Sequence, residues 1–211
     1  GSEESIRAAI QESGDPFLAA LKLSVAANLI DCEFRDRLQP GFSLQALLAD
    51  LDHIELAIDH SEDLRQAVSD ASKILFIHET AGELLFDRLL IETFEKDPGA
   101  VVSVLRSVRS LGGAIEEDAL SVGLDTVATL SDPGVDCRGL RLDSSSDKFR
   151  EEYNSADLVI AKGQAAFETI EDATGGAPKE RRALFFLLRA KCAVIAGELG
   201  VSPGDCVVER G

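Results

Sequence analysis

Ile74-Leu75-Phe76-Ile77 is apolar at every position and is followed at once by the polar turn His78-Glu79-Thr80-Ala81-Gly82-Glu83. A short run with no alternation reads as a strand buried on both faces, which is the mark of a parallel sheet covered by helices on each side. After the turn, Leu84, Leu85, Asp87, Arg88 and Leu89 mix apolar and charged positions at helical spacing. The stretch 73–91 is therefore strand, turn and helix, and open α/β sheets bind ligands at the carboxyl ends of their strands. Glu79 and Glu83 in that turn, beside the amides that start a helix, make it the first candidate site.

The same alternation continues along the chain. Strands are expected at 73–78, 100–105, 125–130, 157–161, 183–188 and 205–209, the last as a short antiparallel edge. Helices are expected between them at 82–95, 114–121, 146–154, 164–171 and 191–199. Before this region lie helical segments at 3–13, 15–31, 43–51 and 61–72. Asp15 and Pro16 supply an N-cap and a proline at the first helical position of the second segment. The expected architecture is a helical N-terminal part, residues 3–72, on a Rossmann-like α/β domain, residues 73–211. Its sheet would be mostly parallel, with helices on both faces.

The net charge of −17 argues against nucleic acid and anionic membrane surfaces as partners, since both require a basic face. It leaves room for a small phosphorylated metabolite, which needs only local cations. No apolar run reaches membrane-span length and no signal peptide is visible, and the oligomeric state is not legible. Cys32, Cys137, Cys192 and Cys206 lack any zinc-ligand spacing, so reduced thiols in a cytoplasmic protein are expected. The Gly1-Ser2 start and the absence of methionine suggest a cut N terminus.

Polar groups recur at the expected strand ends: Glu79, Thr80 and Glu83, then Arg106, then Lys162-Gly163, with Lys191 after the fifth strand. In a parallel sheet these ends share one edge, so carboxylates suited to a hard cation and lysines suited to a phosphate can converge. Asn28 sits on an otherwise apolar helix face, with Asp31 just beyond. His78 adjoins Glu79 but has no visible orienting partner, which weakens it as a general base. No GxSxG, GxxxxGK[ST] or GxGxxG occurs.

Five segments in order resemble the metal-dependent damage-control phosphatases, and the likeness covers essentially the whole chain. They are Asp15-Pro16-Phe17 with the stretch from Leu21 to Asp31, similar to the family's DP…GNxxD; Glu79 to Asp87, similar to DNAGE and its following aspartate; Ala114 to Ala119, similar to DATxEDA; Ala156 to Glu168, similar to ADLVIAKGQANFE; and Ala190-Lys191-Cys192 with Gly200-Val201. Family members usually carry a further helical region before the Asp-Pro.

The resemblance implies hydrolysis of small phosphorylated metabolites with Mg²⁺, Mn²⁺, Co²⁺ or Ni²⁺. It assigns catalytic roles to Asp31, Glu79 and Asp87, and substrate contacts to Asn28, Glu83, Lys162, Gln164, Glu168 and Lys191. The metal positions, Asp, Asn and Asp in the family, are Glu79, Thr80 and Gly113 here, and the asparagine of KGQxN is Ala166. The scaffold is kept while the metal ligands are changed. Two readings follow: a phosphatase with an altered metal site, or a catalytically degenerate pseudoenzyme that binds a small anion or a partner protein. The triple change Glu79→Asp, Thr80→Asn, Gly113→Asp should then restore metal binding.

Overall fold

A computed structural model describes residues 1–30, 41, 43–107, 112–135, 139–173 and 182–211. Among the described residues, seven strands form one sheet: β1 (Leu56–Asp59), β2 (Ile74–Ile77), β3 (Val101–Val104), β4 (Thr129–Ser131), β5 (Leu158–Lys162), β6 (Ala183–Arg189) and β7 (Cys206–Arg210). Their spatial order is β1-β7-β6-β5-β2-β3-β4. Every pairing is parallel except β6 with β7. The helices are α1 (Ser2–Glu12), α2 (Pro16–Ala27), α3 (Leu44–Ala49), α4 (Ser61–Asp70), α5 (Leu84–Glu92), α6 (Glu116–Ser121), α7 (Asp147–Ser155), α8 (Gln164–Ala173) and α9 (Ala193–Leu199). The mostly parallel α/β architecture is the expected one.

The strand expected at 125–130 is shorter, β4 starting at Thr129 after a 3₁₀ turn at Leu124–Thr126, and two further features differ from the expectation. Residues 3–72, expected to be helical, contain β1, which pairs parallel to β7 and so forms the sheet's edge. Its burial alternates, with Leu56 and Ile58 the more covered positions, as suits an edge strand with one face on the core. Because β1 lies outside it, β7 is antiparallel to β6 but is not itself the edge.

The central strands are buried on both faces. Ile74, Phe76, Leu158 and Ile160 face a core built with α1, α2 and α5. Leu75, Ile77, Val159 and Ala161 face a second core with Phe149 and Tyr153 of α7 and Phe167 and Ile170 of α8. Helix α2 is itself buried almost all round, which explains its apolar sequence: Phe17, Leu21, Leu23 and Val25 are all covered. Its start is fixed as expected, with Asp15 accepting the Leu18 N–H (3.1 Å) and Pro16 in the first turn. Helix α1 is tied to α5 by Arg7, whose guanidinium donates to both carboxylate oxygens of Glu92 (2.6 and 2.8 Å).

The order of strands places the site. From β2 the chain moves outward through β3 to β4, and from β5 it moves the other way to β6 and β7. The boundary between neighbours β2 and β5 is the switch point, where crevices open beyond the strand ends. His78 and Glu79 leave β2 there, and Lys162 and Gly163 close β5.

Candidate functional site

Two pairs of residues spaced by four bring polar groups into the apolar layer between α2 and the sheet. Ser24 and Asn28 lie one turn apart at the end of α2, and Glu83 and Asp87 one turn apart at the start of α5. Lys162, following Ile160 in the period-two alternation of β5, points to the same side. Its ammonium donates to the Ser24 carbonyl (2.6 Å), the Ser24 Oγ (2.8 Å) and Asp87 Oδ1 (2.9 Å), and lies 3.0 Å from Glu83 Oε2. Ser24 also donates its hydroxyl to Asp87 Oδ1 (2.6 Å).

The side chains of Lys162, Glu83 and Asp87 are wholly inaccessible, so each charge depends on the others. Burial would push the Asp87 carboxyl up, but Lys162, then His78 and Ser24, outweigh it and hold it below the usual range. Burial pushes Glu83 up, against the pull of Lys162 and with reinforcement from Glu79 and Asp87. Burial also works against the Lys162 ammonium, yet Asp87 and Glu83 raise it above an ordinary lysine. The core of this network is a Lys162–Asp87 ion pair, with the Glu83 carboxyl beside it pushed above its usual range by burial.

His78 belongs to this network and has the orienting partner its sequence context did not reveal. Its Nδ1 is 2.9 Å from Asp87 Oδ2, its Nε2 is 3.1 Å from Ser103 Oγ, and its ring stacks on Phe76. With a fully covered side chain, it braces Asp87 rather than standing open to a ligand.

Glu79 is the carboxylate nearer the surface. Its Oε2 accepts hydrogen bonds from Asn28 Nδ2 (2.7 Å) and Lys191 Nζ (3.0 Å). Asn28 Nδ2 also donates to Glu83 Oε2 (2.9 Å), while Asn28 Oδ1 accepts the Arg189 N–H (3.2 Å). Gly163 forms the floor: its φ is +80°, and a Cβ there would overlap the Glu79 carboxylate. Gln164 accepts the Lys191 N–H (3.2 Å) and donates to Glu168 (2.9 Å). Glu168 is exposed on α8, one turn away from Gln164. Asp31 lies outside the described residues. The remaining expected site residues, Asn28, Glu79, Thr80, Glu83, Asp87, Lys162, Gln164, Glu168 and Lys191, are joined by hydrogen bonds or ion pairs across the end of α2, the β2–α5 connection, the β5–α8 junction and the end of β6.

The metal implied by the resemblance does not fit the residues at its three positions. Glu79 offers a carboxylate that already accepts from Asn28 and Lys191, and Thr80 donates its hydroxyl to Glu83 Oε1. Gly113 pairs with Thr80 in an isolated antiparallel bridge. In the space where an aspartate side chain would start lies Arg106: its Nε and Cζ are 2.6 and 3.1 Å from a Cβ built on Gly113, and its Cδ is closer still. A hard divalent ion is held chiefly by carboxylate charge, and here the one carboxylate is paired with the Lys191 ammonium while the Arg106 guanidinium lies over the third position. Among the described residues, no group of three or more His, Cys, Asp or Glu side chains could hold a metal ion. The new side chain of Gly113→Asp would also collide with Arg106. The triple change Glu79→Asp, Thr80→Asn, Gly113→Asp is therefore insufficient to rebuild the metal site unless Arg106 moves away.

Arg106 forms the wall between two clefts. The inner one is bounded by His78, Glu79, Gly139, Lys162 and Ala166. The outer one, of about 420 Å³, is bounded by Ser107, Glu116, Glu117, Asp132 and Lys148. Ser24, Ser103 and Arg106 complete the arrangement. Of these, only Arg106, at a strand end, carried a sequence signal; Ser24 could have been found from its four-residue spacing to Asn28.

Comparison with known proteins agrees with this architecture. The model of the damage-control phosphatase ARMT1-like domain matches residues 2–207. The chain is 34% identical to the uncharacterized protein MJ0202 of Methanocaldococcus jannaschii over 187 residues, covering 88% of this chain and 60% of that protein. It is 33% identical to the damage-control phosphatase PH1575 of Pyrococcus horikoshii over 198 residues, covering 92% and 65%. A damage-control phosphatase of Archaeoglobus fulgidus is 28% identical, covering 95% and 67%. The chain thus spans about three-fifths to two-thirds of these relatives. The crystal structure of the DUF89 family protein PH1575 superposes with a TM-score of 0.78 at 31% identity, covering 99% of this chain and 72% of that one. With the domain matched almost end to end and the fold shared, the chain belongs to the damage-control phosphatase ARMT1-like family.

Proposed function

We propose that this chain binds a small phosphorylated metabolite at the switch-point cleft and has lost the metal-dependent hydrolysis implied by the resemblance. The reading is supported above all by Arg106, which overlies Gly113 at the position of the third metal ligand. The ion pair of Glu79 with Lys191 supports it from the other side. A cation paired with the one carboxylate at these positions and a second over Gly113 oppose a divalent ion and favour an anion. A cytoplasmic setting belongs to the same reading, supported by the free thiols of Cys192 and Cys206.

The test has two arms. Assays on p-nitrophenyl phosphate and sugar phosphates with millimolar Mg²⁺, Mn²⁺ or Co²⁺ should show no chelator-sensitive turnover. A thermal-shift screen of phosphomonoesters should show stabilisation, reduced on replacing Lys191 with alanine. A second reading, an active phosphomonoester hydrolase with metal ligation rebuilt from Glu79, His78 or Asp31, is favoured by the match to the damage-control phosphatase family. Robust turnover abolished by chelator would establish it in place of the first.

A further inference from the structure

We infer that Arg106 is a resident cation that receives the phosphoryl group directly, in the place of a metal ion. The inference rests on the reading that this cleft takes a phosphomonoester, and it adds the group that binds the ester's charge.

Three observations converge on the guanidinium. First, its Nη1 is buried and has no hydrogen-bond partner among the described residues. Buried donors are ordinarily paired, and an orphan of this kind marks a place where an acceptor belongs. Second, the other cations of the cleft are already matched: Lys162 by Asp87 and Lys191 by Glu79. Glu116, Glu117 and Asp132 share the outer cleft with Arg106, but none forms an ion pair with it. Arg106 is therefore the uncompensated charge at this edge of the sheet, among the described residues. Third, the side chain reaches this position only because Gly113 has no Cβ. The glycine and the arginine form a unit, since any side chain at 113 would displace the Arg106 side chain from over Gly113.

The chemistry suits a phosphate dianion. A planar guanidinium presents parallel N–H donors that match two phosphate oxygens, with no need of a metal to neutralise them. The outer cleft of about 420 Å³ beside it lies in the size range of small-molecule sites and can take the organic part of the ester.

The experiment is calorimetric titration of the full chain with inorganic phosphate and with glycerol 3-phosphate, in EDTA and then with Mn²⁺. Binding by the wild type in EDTA, unchanged by Mn²⁺ and weakened about tenfold or more by Arg106→Gln, is the expected result. Arg106→Lys should retain part of the affinity. Gly113→Asp should lose it while Arg106 is still present, which keeps the test decisive if Arg106→Gln folds poorly. Wild-type affinity in Arg106→Gln, or binding that appears only with Mn²⁺, would overturn the role of Arg106 and leave phosphomonoester recognition standing. Absence of binding to either probe, with and without metal, would overturn recognition itself and the inference with it.

Discussion

Replacing Lys162 with methionine tests the buried network most directly. Methionine roughly keeps the length of the side chain but removes an ammonium with four polar contacts between 2.6 and 3.0 Å. Asp87 would retain the Ser24 hydroxyl and His78, and would lose the cation that holds its carboxyl below the usual range. Breaking a buried pair by removing one partner costs about 3–5 kcal/mol. In a chain of this size that corresponds to roughly 6–20 °C in Tm. The sign with pH follows from the direction of the Asp87 shift. A depressed carboxyl contributes stability above its unfolded value, 3.8, and loses it as pH falls through the folded one. The gap between wild type and variant should therefore be full at pH 7 and shrink in strong acid. Urea denaturation followed by far-ultraviolet circular dichroism at a series of pH values measures both. A variant within about 1 kcal/mol of wild type at pH 7, or a gap that widens in acid, would refute the ion pair as the core of the site.

Three further outcomes follow from neighbouring contacts. Gly163→Ala forces an L-residue to φ +80° and drives a Cβ into the Glu79 carboxylate; differential scanning fluorimetry should show a loss above the roughly 1–2 kcal/mol of the left-handed backbone alone. Glu83→Gln should cost less than Lys162→Met, because burial already disfavours the charged form of Glu83. It should also abolish the fall in the wild type's stability as pH rises above the ordinary glutamate value of 4.5, measurable by the same urea series. The set Glu79→Asp, Thr80→Asn, Gly113→Asp should bind Mn²⁺ calorimetrically only when Arg106→Ala is added; strong binding by the triple variant would show that the guanidinium does not obstruct the position.

The fold was largely legible because its central strands are apolar on both faces, so Ile74–Ile77 and Leu158–Lys162 stand out without any alignment. β1 was not, since Leu56-Ala57-Ile58-Asp59 is short, less covered at alternate positions and adjacent to helices on either side. At the site, Lys162, Lys191 and Glu79 could be placed at strand ends, but their pairing could not. His78 meets Asp87 nine residues on, across a turn and a helix start, and Ser103 from the neighbouring strand. Neither contact has a sequence period. The coupling of Arg106 to Gly113 depends on the local bridges Thr80–Gly113 and Arg106–Ile115, which form only once the segment folds back beside β2 and β3.

The charge balance at the switch point explains why a shared scaffold can accompany an altered site. At the three positions the resemblance assigns to metal, aspartate, asparagine and aspartate would carry two negative charges, whereas Glu79, Thr80 and Gly113 carry one. That one charge is matched by Lys191, as Asp87 is matched by Lys162, and Arg106 remains. Two unit charges about 4 Å apart interact by roughly 4 kcal/mol at an effective dielectric of about 20. A divalent ion brought beside Arg106 would meet about twice that in repulsion, reduced where water reaches the site, whereas a phosphate dianion would gain a comparable attraction. A glycine at 113 and a guanidinium over its Cβ position thus act in the same direction. Meanwhile Asn28, Glu83, Asp87 and Lys162 lie deeper and hold α2, α5 and β5 together. They are under structural demand whichever ion the cleft accepts, so their retention is compatible with either sign of ligand and cannot by itself argue for hydrolysis.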